Sequence, residues 1–448
     1  MEVVYNKRPK LVKGIEKSWA PIVLMSVLGI LYLDVADQTS IFSFGYSLLL
    51  LTVSCFLLCR DDAKLLFFAY HFYLFFAISF YLIFKSQFPE YLGMTGAEGG
   101  IGTDDCRYYA QIVGGKGVFY TIMVSTTDIY SYSIFLKFIY PFEVFTPLNI
   151  VVVNLIFAAY LPIYVKRFAV LLTRNNNIGN TAYWFTLLCP FTLYFGCIIL
   201  RESFTAVMVI AGLCYYLQKK YIPLAVCVFF LVWIRFGTLA FLICGIIMLI
   251  RFKLKRKTHT DLYFVLVFVL IIVAFYFSFS FLQGFSEEKL EDSVIRNIDS
   301  ARYDESTIGA IMHLPFPVNV ILSTVFFLFI PLLNIPDEHF GHYLVGGVFQ
   351  GFFTPLFMFF LWNYIFNASL QAITDKQQDT AKQILFIIVL FALLLGTISL
   401  QSRHKTVLFP FLCILAAYGK EKYDKHLGDA SVFMATGVIC VQLLLAII

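Results

Sequence analysis

Long apolar runs recur along the whole chain, and only short polar links part them. Thirteen stretches read as candidate spans: 19–33, 41–59, 65–84, 148–165, 180–199, 203–218, 221–234, 237–250, 261–282, 346–366, 383–400, 406–418 and 431–448. Several fall short of the roughly 20 residues that cross a bilayer as a helix. The pair 221–234 and 237–250 also reads as one long broken helix. Hydrophobic residues make up 60% and charged residues 14% of the 448; a soluble domain has about 45–50% and about 25%. Mean hydropathy is +0.82. No hydrophilic stretch is long enough to build its own core, so residues 1–448 read as a single integral membrane domain. The expected fold is all-α: a polytopic transmembrane helical bundle of about 13 spans, with one re-entrant segment and two large extracytoplasmic loops.

The net charge of +5 does not point to nucleic acid, because the basic residues sit in small clusters between apolar runs. Lys/Arg-rich links stay on the cytoplasmic side. The N-terminus (Lys7, Arg8, Lys10, Lys13, Lys17) precedes an apolar run with no small-residue cleavage site, and reads as a cytoplasmic lead into an uncleaved first helix. Arg60 and Lys64 then lie inside, followed by Lys166, Arg167 and Arg174, by Lys219 and Lys220, and by Arg251 to Lys257. Counting back from the other end, Lys420, Lys422 and Lys425 are inside, as is the Asp375–Lys382 link. The two counts agree only if 317–333 fails to cross. That segment opens at Pro315-Phe316-Pro317 and closes between Pro331 and Pro336. A re-entrant or interfacial helix suits it, since bent backbone at that depth must be buried in protein or line a wet cavity.

Two long loops then lie outside, 85–147 and 283–316. The first holds aromatic, amphipathic stretches (Val118–Val124, Ile134–Tyr140) suited to lying in the interface. The second is charged with mixed sign. Nine of the ten cysteines lie in apolar runs, so Cys106 in the first loop has no disulfide partner in view, and no zinc spacing is present. The chain shows no internal repeat, which weighs against inverted-repeat transporters.

Four groups of residues can carry chemistry at the outer face. Asp104 and Asp105 stand adjacent on a Gly-led loop, where two carboxylates can bind a divalent cation or act as a general base. The plainer alternative is a solvated acidic turn capping a short helix that begins near Arg107. Arg201-Glu202 follows an apolar helix with no turn residues between; charge so near hydrocarbon costs a few kcal/mol unless it meets a cavity or a partner. A simple interfacial ion pair is the alternative. Arg235 is isolated among apolar residues and reads equally as a snorkelling arginine or an anion contact. Arg403-His404-Lys405 places three basic groups on the face where few are expected, so a phosphate or diphosphate is the natural partner; otherwise the cluster marks a cytoplasmic end. The Asp337-Glu338-His339 stretch, with His342, reads as a solvated loop. There is no Walker loop, no Rossmann glycine pattern and no HExxH.

The acidic motif followed by two tyrosines, Gly102 to Tyr109, is similar to the acidic loop of GT-C membrane glycosyltransferases. Leu200-Arg201-Glu202 after a hydrophobic helix, Pro315-Phe316-Pro317, and Arg403-His404-Lys405 before a helix with Pro410 resemble the polymerase-like proteins of bacterial surface polysaccharide synthesis, the O-antigen and exopolysaccharide polymerase group. The likeness is one of pattern and order over residues 65–420. One departure leaves the subclass open: in polymerases and ligases of lipid-linked sugars the main catalytic charge is often basic, whereas this chain carries an acidic pair as well. The resemblance implies a polyprenyl phosphate- or diphosphate-linked sugar donor, a glycan acceptor and a site on the periplasmic side of the bacterial inner membrane. It implies phosphate contacts at Arg201, Arg235, Arg403, His404 and Lys405, with Asp104 or Asp105 as base. Glu202, Arg107 and Tyr108 would support them, and a divalent cation would sit on the acidic pair. The rival class is a flippase for lipid-linked oligosaccharide, which needs ionisable groups near mid-membrane on several helices. The outward clustering favours the enzyme.

Overall fold

The computed structural model describes residues 19–37, 40–87, 89, 92–94, 104–113, 130–253, 318–329, 348–375, 379–398 and 402–447. The expected span 261–282, the second loop 283–316, Pro315-Phe316-Pro317, the 334–342 stretch and Val118–Val124 lie outside the described residues. Among the described residues the regular structure is helical throughout, without strands. Among the described residues, six helical segments are by length and composition apolar enough to cross a membrane: Ile41–Leu58, Arg60–Gln87, Pro147–Thr173, Tyr221–Arg251, Val348–Thr374 and Lys425–Leu444.

In chain order the helices are α1 (Trp19–Asp37), α2 (Ser40–Leu58), α3 (Ala63–Gln87), α4 (Asp104–Val113), α5 (Tyr130–Ile139) and α6 (Pro147–Thr173). Next come α7 (Asn176–Leu188), α8 (Pro190–Gly196), α9 (Glu202–Leu217), α10 (Tyr221–Lys253) and α11 (Val318–Phe329). The last four are α12 (Thr354–Thr374), α13 (Asp379–Ile398), α14 (Phe409–Glu421) and α15 (Gly428–Ile447). The axis of the bundle is α6. It is apolar on every side and buried along most of its length, as a helix surrounded by other helices must be. It packs against α2, α3, α7 and α9. Thr146 and Asn149 form a capping box at its start, Pro147 occupies the first turn where no amide donor is needed, and Arg174 closes it in the left-handed conformation at φ 54°.

The two ends of α6 differ in chemistry. Near Pro147, Asn149 donates to Ser43 (2.7 Å), and the Ser43 and Tyr140 hydroxyls share a hydrogen bond (2.7 Å). Near Thr173, Asp62 receives Lys166 Nζ at 2.7 Å and Arg167 Nε at 3.0 Å, and Arg167 also donates to the Leu58 carbonyl at 2.8 Å. This second end collects the cations.

The expected span 180–199 is not a single rod, and the expected pair 221–234 and 237–250 is joined without a loop. The stretch 180–199 divides into α7 and α8 at Cys189, whose ψ of 114° is extended. Pro190 is the cause: its ring crowds the residue before it out of the helical region, and it then opens α8. The stretches 221–234 and 237–250 form one element interrupted at Arg235 (φ −161°, ψ 85°). Leu242 packs on Gly212 of α9, Leu213 packs on Gly245, and Cys227 neighbours Cys214 of the same α9 turn. In a straight helix residues 227 and 242 would stand about 22 Å apart. Both meet adjacent turns of α9, so the chain folds back at Arg235 and its two limbs flank α9. At both glycines an added Cβ would come within 2.8 Å of a leucine methyl, so the small residues set this close packing.

Candidate functional site

The acidic pair opens α4. Asp104 and Asp105 occupy its first turn, where the helix dipole favours negative charge. The short helix thus begins at Asp104 and not near Arg107. Asp104 pairs with Arg107 one turn on (3.4 Å), and Asp105 accepts the Cys106 amide at 3.0 Å. Asp105 is only 3% exposed, which corrects the solvated-turn alternative. Among the described residues no group of three or more His, Cys, Asp or Glu side chains is placed to hold a metal ion. A calcium cage of six to eight oxygens is not formed; the pair suits only a cation that brings its own water and phosphate ligands.

From α4 a chain of contacts leads to the Arg201-Glu202 step. The Tyr108 ring meets Tyr132 of α5 edge-on, with centroids 5.5 Å apart. The Tyr132 hydroxyl donates to Asn154 Oδ1 on α6, and Asn154 Nδ2 donates to the Ile198 carbonyl at 2.8 Å. Ile198 belongs to the irregular link between α8 and α9, so this bond holds the backbone that leads into Arg201. Burial raises the Tyr132 phenol well above its ordinary pKa; Tyr108 and Glu202 add to the effect and Arg201 opposes it. Burial also pushes Tyr109 up to about 12. Both phenols therefore stay protonated at neutral pH and serve as donors. Tyr132→Phe leaves buried Asn154 Oδ1 without this donor, and is expected to cost about 1–3 kcal/mol in a thermal-unfolding series in detergent. A change below a few tenths of a kcal/mol would remove Tyr132 from the network.

Arg201 and Glu202 begin α9, and Arg235 sits at the fold-back of α10. Arg235 donates to Glu202 Oε1 at 3.1 Å, and Arg201 donates to the Ile234 carbonyl at 3.3 Å. Arg201 thus ties the start of α9 to the backbone just before the break in α10. Glu202 is 3% exposed. Tyr108 and Arg201 lie within electrostatic reach of Arg235. Elements far apart in sequence, α4, the start of α9 and the turn of α10, therefore bring Tyr108, Arg201, Glu202 and Arg235 together.

Arg403, His404 and Lys405 lie in a 3-10 turn, Ser402–Val407, that packs against α8 and α9. Lys405 is 1% exposed; its ammonium donates to the Leu328 carbonyl of α11 at 3.0 Å and stands 5.0 Å from the Phe409 ring centre. It ties this turn to α11. His404 is half-buried. Sequence reasoning missed Tyr132 and Asn154. The available signal was Asn154 itself, an amide inside an apolar run, which is costly unless it has a partner. No family model, curated protein or solved structure matches this chain.

Proposed function

We propose that the chain is a bacterial inner-membrane glycosyltransferase or polymerase that uses polyprenyl phosphate- or diphosphate-linked sugars on the periplasmic face to build a surface polysaccharide. The observation that carries this reading is that Tyr108, on the helix α4 that opens with the two carboxylates, lies within electrostatic reach of Arg235 in the group it forms with Arg201 and Glu202. Glycosyl transfer from a lipid phosphate needs a carboxylate to accept the proton of the attacking hydroxyl, and cations to meet the charge that develops on the departing phosphate. Asp104 or Asp105 would act as base. Arg201 and Arg235 would face the phosphate, joined by Arg403 and His404 from the adjoining turn. In this reading the whole chain has about 13 spans with 317–333 re-entrant, and loop 283–316 covers the site. The bond from Lys405 to the Leu328 carbonyl supports the re-entrant assignment, because it pins α11 to the turn that follows α13.

Asp104→Asn, Asp105→Asn and Arg403→Ala variants are expected to insert normally yet lose polysaccharide chain formation in a strain that depends on the protein. Chains of ordinary length in all three would end the enzyme reading. Cysteines placed at positions 103 and 402 are expected to react with an impermeant thiol reagent from the periplasm; labelling only from the cytoplasm would overturn the orientation and the mechanism with it.

A further inference from the structure

A second polar site lies at the cation-rich end of the bundle. A cavity of about 450 Å³ opens where the ends of α6 and α14 meet the starts of α7 and α13. Its wall includes Arg174, Asn175, Asn176, Asn177, Thr380 and Lys422, and among the described residues no acidic side chain lines it. The positive character comes from the side chains that close α6 and α14, set against the negative dipole ends of those helices, and from the start of α7. Arg174 closes α6, and its amide donates to the Val170 carbonyl at 2.8 Å. Lys422 closes α14, and its carbonyl is fixed by Gln371 at 2.7 Å. The start of the 13-residue α7 supplies the positive end of its dipole. Asn175 Oδ1 takes the Asn177 amide at 2.8 Å, while the other first-turn amides of α7 have no partner within the helix by construction. Three acids neighbour wall residues: Glu421, which accepts from Thr181 at 2.9 Å, Asp375, which acts on Tyr418, and Asp379, which precedes Thr380 in the first turn of α13.

We propose that this cavity binds a phosphate group, that of an anionic phospholipid headgroup in the adjoining leaflet. Two cations on fixed backbone, amide donors and a helix start form a phosphate-recognition set. Its place at the end that also carries exposed Lys219, Lys220 and Lys420 favours a lipid source, because anionic lipids concentrate at basic membrane-proximal surfaces. The site is independent of the glycosyl-transfer reading and stands or falls without it.

The test is thermal unfolding of the purified full chain in neutral detergent, titrated with short-chain phosphatidylglycerol, short-chain phosphatidylcholine or inorganic phosphate. Phosphatidylglycerol is expected to raise the midpoint saturably and phosphatidylcholine much less. The Arg174→Ala/Lys422→Ala variant, altered at two exposed side chains, is expected to bind at least about tenfold more weakly. Asn177→Asp guards against a folding artefact: a carboxylate in the first turn favours the helix, yet it repels a phosphate in the cavity. It should hold or raise the midpoint without lipid and still weaken the phosphatidylglycerol response. An equal response to both lipids, or a phosphatidylglycerol response unchanged in both variants, would overturn the proposal. A variant-sensitive response to inorganic phosphate alone would uphold the phosphate chemistry and overturn the lipid source.

Discussion

Glu202→Ala is expected to destabilise the protein by about 3–5 kcal/mol, the range for removing one partner of a buried ion pair. The size follows from what is left behind. Glu202 is 3% exposed, and its partner Arg235 sits where α10 folds back, with Arg201 as a second cation nearby. Without the carboxylate, the two guanidinium groups repel each other with no anion between them, and the Glu202–Arg235 link between the start of α9 and the hinge of α10 is lost. An exposed pair would cost only about 0–1 kcal/mol, so the measured size separates the two situations. A chemical-unfolding series in detergent supplies it. The double variant Glu202→Ala/Arg235→Leu is expected to recover much of the loss, since apolar replacement of a whole buried pair is often close to neutral. Recovery of stability without recovery of polysaccharide formation would mean that the pair is kept for function, because the fold can do without it. Equal losses in the single and the double variant would mean that the charges do not act as a pair.

This cluster also shows how far the sequence could be read. The class of protein follows from the apolar runs alone, because hydropathy is a sum over residues and needs no geometry. The grouping of Arg201 and Arg235 is approached through charge: residues costly in hydrocarbon must find one another or water. Their partners are another matter. Glu202 was placed beside Arg201 by sequence, but its bond runs to Arg235, 33 positions away, because the α10 break turns the chain back along α9. The α7–α8 division at Cys189 was written in Pro190, and hydropathy masked it because both halves are equally apolar. Lys405 shows the limit of charge counting. A lysine in a basic cluster reads as an anion contact, yet its ammonium is engaged by a backbone carbonyl of a helix that is distant in sequence. Hydropathy records how costly a group is and leaves open which neighbour relieves the cost.

Close packing between helices is the least legible feature, and Gly419→Ala tests it. A Cβ at Gly419 of α14 would fall on the Tyr364 carbonyl oxygen of α12, 2.8 Å from its carbon and 3.2 Å from Ala368 Cβ. These are mostly backbone atoms, so no side chain can swing aside and the two helices must part. Parting them strains a set of bonds that exists only at this separation. Asn367 donates to the Asp424 carbonyl (2.9 Å) and accepts its amide (3.0 Å), and Gln371 donates to the Lys422 carbonyl (2.7 Å). Overpacking costs about 1–3 kcal/mol and each strained hydrogen bond about 1 more, so a loss of about 3 kcal/mol or greater is expected. Helix propensity pulls the other way by about 1 kcal/mol, since alanine is the better helix former. Gly437→Ala in α15 isolates that opposing effect: its Cβ would meet nothing within 4 Å, so a gain of up to about 1 kcal/mol is expected there. Opposite signs at the two glycines would establish the α12–α14 contact. A neutral or stabilising Gly419→Ala would refute it. Because Gln371 also fixes the backbone of Lys422, Gly419→Ala should weaken phosphatidylglycerol binding at the far cavity as well, and Gly437→Ala should leave that binding unchanged.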